Sequence, residues 1–144
     1  MQHLIACGKL DSLSTIAQYI LTAAREAGLD SRSSYKLRLA VDEVATNIII
    51  HGYDEAGLKG DLNIQTDIDD RELRVFIEDT GAEYDPTQQC EPDHLCTPLQ
   101  CRPEGGLGVY LARQSVDRWI HERIGEVNRN IFIVKRPEEP VGVS

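Results

Sequence analysis

The apolar residues keep a helical period over the first third of the chain and then drop to a period of two, and that change limits the folds open to it. Leu13, Ile16, Ala17, Ile20, Leu21 and Ala24 recur at three- and four-residue spacing from about Asp11 until Gly28, the pattern of an amphipathic helix. A second helix is predicted over Ser33 to His51, with Asp30 or Ser31 as its cap, Leu37, Val41, Val44 and Ile48 as its stripe, and Gly52 as its stop. Leu39, Ile49 and Ile50 lie off that stripe, so this helix belongs in the middle of the molecule, packed on two sides. Beyond it the period drops to two. Leu62, Ile64, Thr66 and Ile68 share one face and Asn63, Gln65 and Asp67 the other; after a turn at Asp69-Asp70 the alternation resumes in Leu73, Val75 and Ile77, completing an antiparallel hairpin.

The flanking segments extend this scheme. Leu4-Ile5-Ala6-Cys7 suits a first or edge strand, and Leu107, Tyr110 and Leu111 restart helical spacing. Two last strands are predicted over Arg118 to Ile124 and Asn130 to Arg136, around a turn from Gly125 to Asn128. Thr80 to Gly106 carries Pro86, Pro92, Pro98 and Pro103 and no apolar period, so this long segment is read as a lid. The order strand, helix, helix, hairpin, lid, helix, hairpin implies an α+β fold, a mainly antiparallel sheet with helices on one face. A chain of 144 residues, 41% of them hydrophobic, supports one core, and a single domain over residues 1–137 with a flexible tail from 138 to 144 is expected.

Charge narrows the ligands. Fifteen Lys and Arg stand against 24 Asp and Glu, a net charge of −9, which repels phosphate backbones and anionic head groups. Direct nucleic-acid or membrane-surface binding is therefore not expected, and an anionic ligand would need backbone dipoles or a metal ion. No apolar run approaches bilayer length and no charged-then-apolar leader opens the chain, so a cytoplasmic location is expected. Four cysteines are too few for a disulfide scaffold and are expected as thiols.

Three separated features carry chemistry when taken together. Glu43 and Asn47, four residues apart on the second helix, share one face about one turn apart. The amide oxygen of Asn47 suits Mg²⁺, and Glu43 could accept a proton from an attacking hydroxyl or water; the same pair also suits a solvated stripe with Asp42 and Thr46. Asp79-Thr80-Gly81, at a strand end and followed by Tyr84-Asp85-Pro86, suits the exocyclic amine of adenine and a closely approaching ring, or simply an Asx-type turn. Glu104-Gly105-Gly106-Leu107-Gly108 leads into a helix, where free N–H groups and a positive dipole end attract phosphate, or where the glycines serve as a hinge.

With these residues in view, the chain resembles the GHKL superfamily of ATP-binding proteins, and within it the anti-sigma-factor serine/threonine kinase group. Leu39-Ala40-Val41-Asp42-Glu43-Val44-Ala45-Thr46-Asn47 with His51-Gly52-Tyr53 is similar to that group's first box, Asp79-Thr80-Gly81 with Tyr84-Asp85-Pro86 to its second, and Glu104 to Gly108 to its third. Their order and spacing agree from Asp11 to Lys135. The resemblance implies a two-layer α/β sandwich with ATP between the central helix and the lid. It implies Asn47 on Mg²⁺, Asp79 and Gly81 at adenine, and the loop Gly105, Gly106, Leu107 and Gly108 around the phosphates. Glu43 would be the general base for a serine or threonine of a small antagonist protein, in competition with a sigma factor, and some members of the group act as homodimers.

Related kinases often place a basic residue near the γ-phosphate just ahead of the glycine box; here Pro103 and Glu104 hold the nearest positions and Arg102 is the closest cation. The lid also gathers Cys90, His94, Cys96 and Cys101, soft ligands that could hold Zn²⁺, although their spacing matches no common zinc pattern and ordinary lid side chains are the expected reading. Beside the kinase stand two alternatives, a nucleotide-dependent binding module that transfers nothing and a simple ATPase switch.

Overall fold

In this computed structural model the described residues are 2–83 and 112–137. Strands β1 (Gln2–Cys7), β2 (Asp61–Ile68), β3 (Glu72–Asp79), β4 (Arg118–Ile124) and β5 (Val127–Lys135) form one sheet in the order β1-β2-β3-β5-β4. Every neighbouring pair is antiparallel. Helices α1 (Leu13–Glu26) and α2 (Ser31–Asn47) supply the second layer, giving the expected α+β sandwich. The inward residues Leu62, Ile64, Leu73, Val75, Ile77, Phe132 and Val134 share one core with Ile16, Ile20, Leu37, Val41, Val44 and Ile49. The opposite face carries polar residues at the alternate positions, among them Arg74, which pairs with Asp67, Asp69 and Glu72.

Local chemistry sets the helix ends. Gly28 takes a φ of 79°, closed to most side chains, and stops α1 where expected. Asp30, extended at a ψ of 174°, accepts from the Ser33 backbone N–H at 2.7 Å and is therefore the cap of α2. Ser31 is the first helical residue, two positions before the predicted start.

The expected stop at Gly52 is not one. The α-helical turns end at Asn47, and the chain continues as a π-helical segment, Ile48–Asp54, whose exit is marked by the Glu55 N–H bonding to the Ile50 carbonyl five residues back at 2.8 Å. Gly52 is not among the glycines with positive φ, so it makes no left-handed stop; the turn out comes at Gly57, with a φ of 69°. The last hairpin also differs from expectation. Its strands run to Ile124 and from Val127 across a turn at Gly125-Glu126, so Asn128 pairs with Arg123 in the ladder and is not a turn residue. The predicted third helix falls largely outside the described residues; those at 112–114 are helical.

Candidate functional site

Asp79 closes β3 and is 4% exposed. Its Oδ1 accepts from the Gly81 backbone N–H at 2.9 Å and from Asn128 Nδ2 at 3.0 Å. Its Oδ2 is buried and has no hydrogen-bond partner among the described residues. Burial pushes the Asp79 carboxyl above the ordinary carboxylate range, opposed by those two hydrogen bonds and by the nearby charges of His121 and Arg123. Buried carboxylate oxygens are nearly always paired, so this atom calls for a donor from elsewhere.

Backbone contact fixes this strand end against the end of the central helix. A Cβ on Gly81 would stand 2.7 Å from the Gly52 carbonyl oxygen, and the Ala82 N–H donates to that same oxygen at 2.8 Å. Tyr53, 1% exposed, donates its hydroxyl to the Asp61 carbonyl at 2.8 Å and accepts from the Thr80 N–H at 3.0 Å. The widened turn of Ile48–Asp54 thus holds the first predicted box against the second. Gly81→Ala is expected to cost about 1–3 kcal/mol in a denaturant melt, because backbone lies on both sides of the contact and no flexible side chain can yield. A parental melt would show that the two segments part freely.

Glu43 and Asn47 lie one α-turn apart on α2, as their spacing predicts. The Asn47 amide is 5% exposed, and its Nδ2 donates to Glu43 Oε1 at 3.5 Å, the long limit of a hydrogen bond. Glu43 is half-buried, and burial raises its carboxyl above the ordinary value, opposed by Asn47. Asp42, its neighbour, pairs with Arg38 at 3.4 Å on another side of the helix. Of the solvated stripe considered above, then, Asp42 has its own cation and Glu43 is partnered with Asn47.

The site residues Arg102, Gly105, Gly106, Leu107 and Gly108 lie outside the described residues, as do Tyr84-Asp85-Pro86, most of the lid, Cys90, His94, Cys96, Cys101 and the tail. Among the described residues no three His, Cys, Asp or Glu gather as a metal site. Asn128 was not among the predicted site residues, although it touches Asp79 directly. Its signal is that Asn128 and Asn130 occupy inward positions of β5, where Phe132 and Val134 continue the same face as core.

A buried acceptor without a partner, next to a glycine too crowded for any side chain, fits an amino group at the edge of a flat ring. With its nitrogen turned to Glu43, the Asn47 amide has its oxygen as the atom that could hold a cation.

The family model described as the histidine kinase-like ATPase domain matches residues 8–135. The serine-protein kinase RsbW of Bacillus velezensis is 30% identical over 103 residues, 63% of this chain and 62% of that protein. RsbW of Oceanobacillus iheyensis is 30% identical over 97 residues, 65% and 61% of the two chains. The chain thus spans less than two thirds of the length of these curated relatives. Among solved structures, the histidine kinase domain of the Erythrobacter litoralis EL346 blue-light activated histidine kinase superposes with a TM-score of 0.57 at 20% identity, over 88% of this chain and 60% of that one. The Acinetobacter baumannii histidine kinase AdeS does so with a TM-score of 0.50 at 12% identity, over 94% and 68%. These two likenesses show the fold. On the extent of the family match and the two boxes held together around Asp79, the chain belongs to the histidine kinase-like ATPase family and is similar within it to serine-protein kinases.

Proposed function

We propose that the chain is a serine/threonine protein kinase of the anti-sigma-factor type, which phosphorylates a small antagonist protein from Mg-ATP and exchanges it for a sigma factor. The observation that carries the nucleotide part is the buried, unpartnered Oδ2 of Asp79 beside Gly81. In this reading Asp79 accepts from the 6-amino group of adenine through Oδ2. Asn47 holds Mg²⁺ through its amide oxygen. The loop Gly105, Gly106, Leu107 and Gly108 would surround the phosphates, with Arg102 as the cation nearest to it in the sequence. Bound Mg-ATP supplies the γ-phosphoryl group. Glu43 takes the proton of the acceptor hydroxyl, and its half-buried position leaves it a stronger base than an exposed carboxylate. The relatives named serine-protein kinases support serine as the acceptor, and among the described residues no helix is long and apolar enough to cross a membrane.

The test is incubation with γ-labelled Mg-ATP and candidate antagonist proteins. Label in a partner serine or threonine is the expected result. Release of phosphate alone would favour the ATPase switch, and ATP-dependent capture of a partner without transfer would favour the binding module. Asn47→Ala is expected to weaken Mg-dependent ATP binding by about tenfold, the scale on which lost metal support acts, while binding without Mg²⁺ stays parental. Calorimetry in both conditions checks this, and equal losses in the two would remove Asn47 from the cation.

A further inference from the structure

The β4–β5 hairpin reaches Oδ1 of Asp79, beside the unpartnered Oδ2, through a chain of directed hydrogen bonds. Arg123 NH1 donates to Asn128 Oδ1 at 2.8 Å. Asn128 Nδ2 in turn faces Asp79 Oδ1 at 3.0 Å and the carbonyls of Gly81 and Ala82 at 3.1 and 3.3 Å. An amide can be turned end for end, but here chemistry permits one orientation. Arg has donors only, so it requires the amide oxygen, and the three acceptors on the other side require the amide nitrogen. Asn128 is 2% exposed, so protein groups and not bulk solvent face both ends of its amide.

We propose that Asn128, held by Arg123, is a positioning residue for base discrimination: by occupying Asp79 Oδ1 it leaves Oδ2 as the only reading atom, an acceptor that takes a 6-amino purine and rejects a 6-oxo purine. This rests on the nucleotide site proposed above and assigns it a device located in a different hairpin. With Oδ1 saturated by Gly81 and Asn128, the carboxylate is held at its current rotation about the Cβ–Cγ bond. A 6-amino group then meets a fixed acceptor, whereas a 6-oxo group brings a second acceptor against it with no donor between them. Without the Asn128 donor the carboxylate keeps one bond at Oδ1 and can rotate, so the edge of the base is read less sharply. Arg123 is exposed, so its replacement disturbs no core packing.

The probes are ATP and inosine triphosphate, which differ in that one group, and the readout is the ratio of their dissociation constants by calorimetry. The parent is expected to prefer ATP. Asn128→Ala is expected to narrow that preference by about tenfold, the loss of one hydrogen bond to a charged group. Arg123→Met is expected to narrow it by a smaller factor and Arg123→Lys, which restores a donor, to return it toward the parental value. A merely structural Asn128 would weaken both nucleotides equally and leave the ratio unchanged, which overturns the proposal. Should Asn128→Ala not fold, an unchanged ratio in Arg123→Met does the same. A parent that binds ATP and inosine triphosphate equally well sinks this inference and leaves the nucleotide site standing, while a parent that binds neither removes both.

Discussion

Glu43→Gln is expected to slow phosphoryl transfer to a partner hydroxyl by about 10²- to 10⁴-fold while ATP binding stays near parental. The glutamine oxygen can still accept from Asn47 Nδ2, so the contact that holds this helix face is kept. What disappears is the carboxylate, whose proton affinity burial has raised. A base whose affinity for a proton lies closer to the working pH takes up that proton more effectively in the transition state. Single-turnover label transfer, with calorimetry alongside, separates the two quantities. A parental transfer rate would show that Glu43 takes no proton, and an equal loss in binding and transfer would make it a ligand contact and not a base.

The parts of the fold that were legible in the sequence are those where a side chain's chemistry and its burial agree. β2 and β3 alternate because one face meets the helices and the other does not, and their register, Ile64 opposite Ile77 and Thr66 opposite Val75, keeps both apolar sets inward. Gly28 and Asp30 mark a helix end and a helix start by conformations or hydrogen bonds that few other residues supply. The failures have the opposite character. Gly52 resembles a stop signal, yet the crowding is at its backbone: its carbonyl takes the Ala82 N–H and leaves no room for a Cβ at Gly81, a contact between residues about thirty positions apart that no local window contains. Asn128 and Asn130 both interrupt the apolar alternation of β5, and the predicted strand begins only at Asn130, after the observed start at Val127. Their inward positions serve hydrogen bonding, Asn128 to Asp79 and Asn130 to Trp119.

The candidate site divides along the same line. Glu43 with Asn47 and Asp79 with Gly81 could be named because the chemistry of each pair lies within one element. Which oxygen of Asp79 remains open depends on a hairpin some fifty residues later, and only the folded geometry provides it.

Asp79→Asn is expected to separate stability from binding, raising the first and weakening the second. In the folded protein burial raises the Asp79 carboxyl above its ordinary value of 3.8, so the folded state holds that proton more tightly than the unfolded state does. Its ionised form therefore opposes folding once the pH exceeds the folded-state value, and the opposition fades as the pH falls toward 3.8. Asparagine removes the charge. Its Oδ1 can accept from Gly81 and Asn128 as before, and its amide nitrogen then occupies the place of the unpartnered Oδ2. An unpaired buried N–H₂ still costs about 1–3 kcal/mol, but a buried charge whose second oxygen lacks a partner costs more, so the variant should melt higher at neutral pH, with the gap closing in acid. For the nucleotide the sign reverses. The new N–H₂ meets the 6-amino group donor to donor, and losing a hydrogen bond to a charged acceptor, about 1.5–3 kcal/mol, corresponds to about 10- to 150-fold in ATP affinity. Inosine triphosphate, with an acceptor at that position, should lose far less. Thermal melts of the ligand-free protein across pH and calorimetry with both nucleotides test the two halves. A variant that melts lower at neutral pH would mean that Asp79 Oδ2 has a partner in solution, and unchanged ATP affinity would place the base elsewhere.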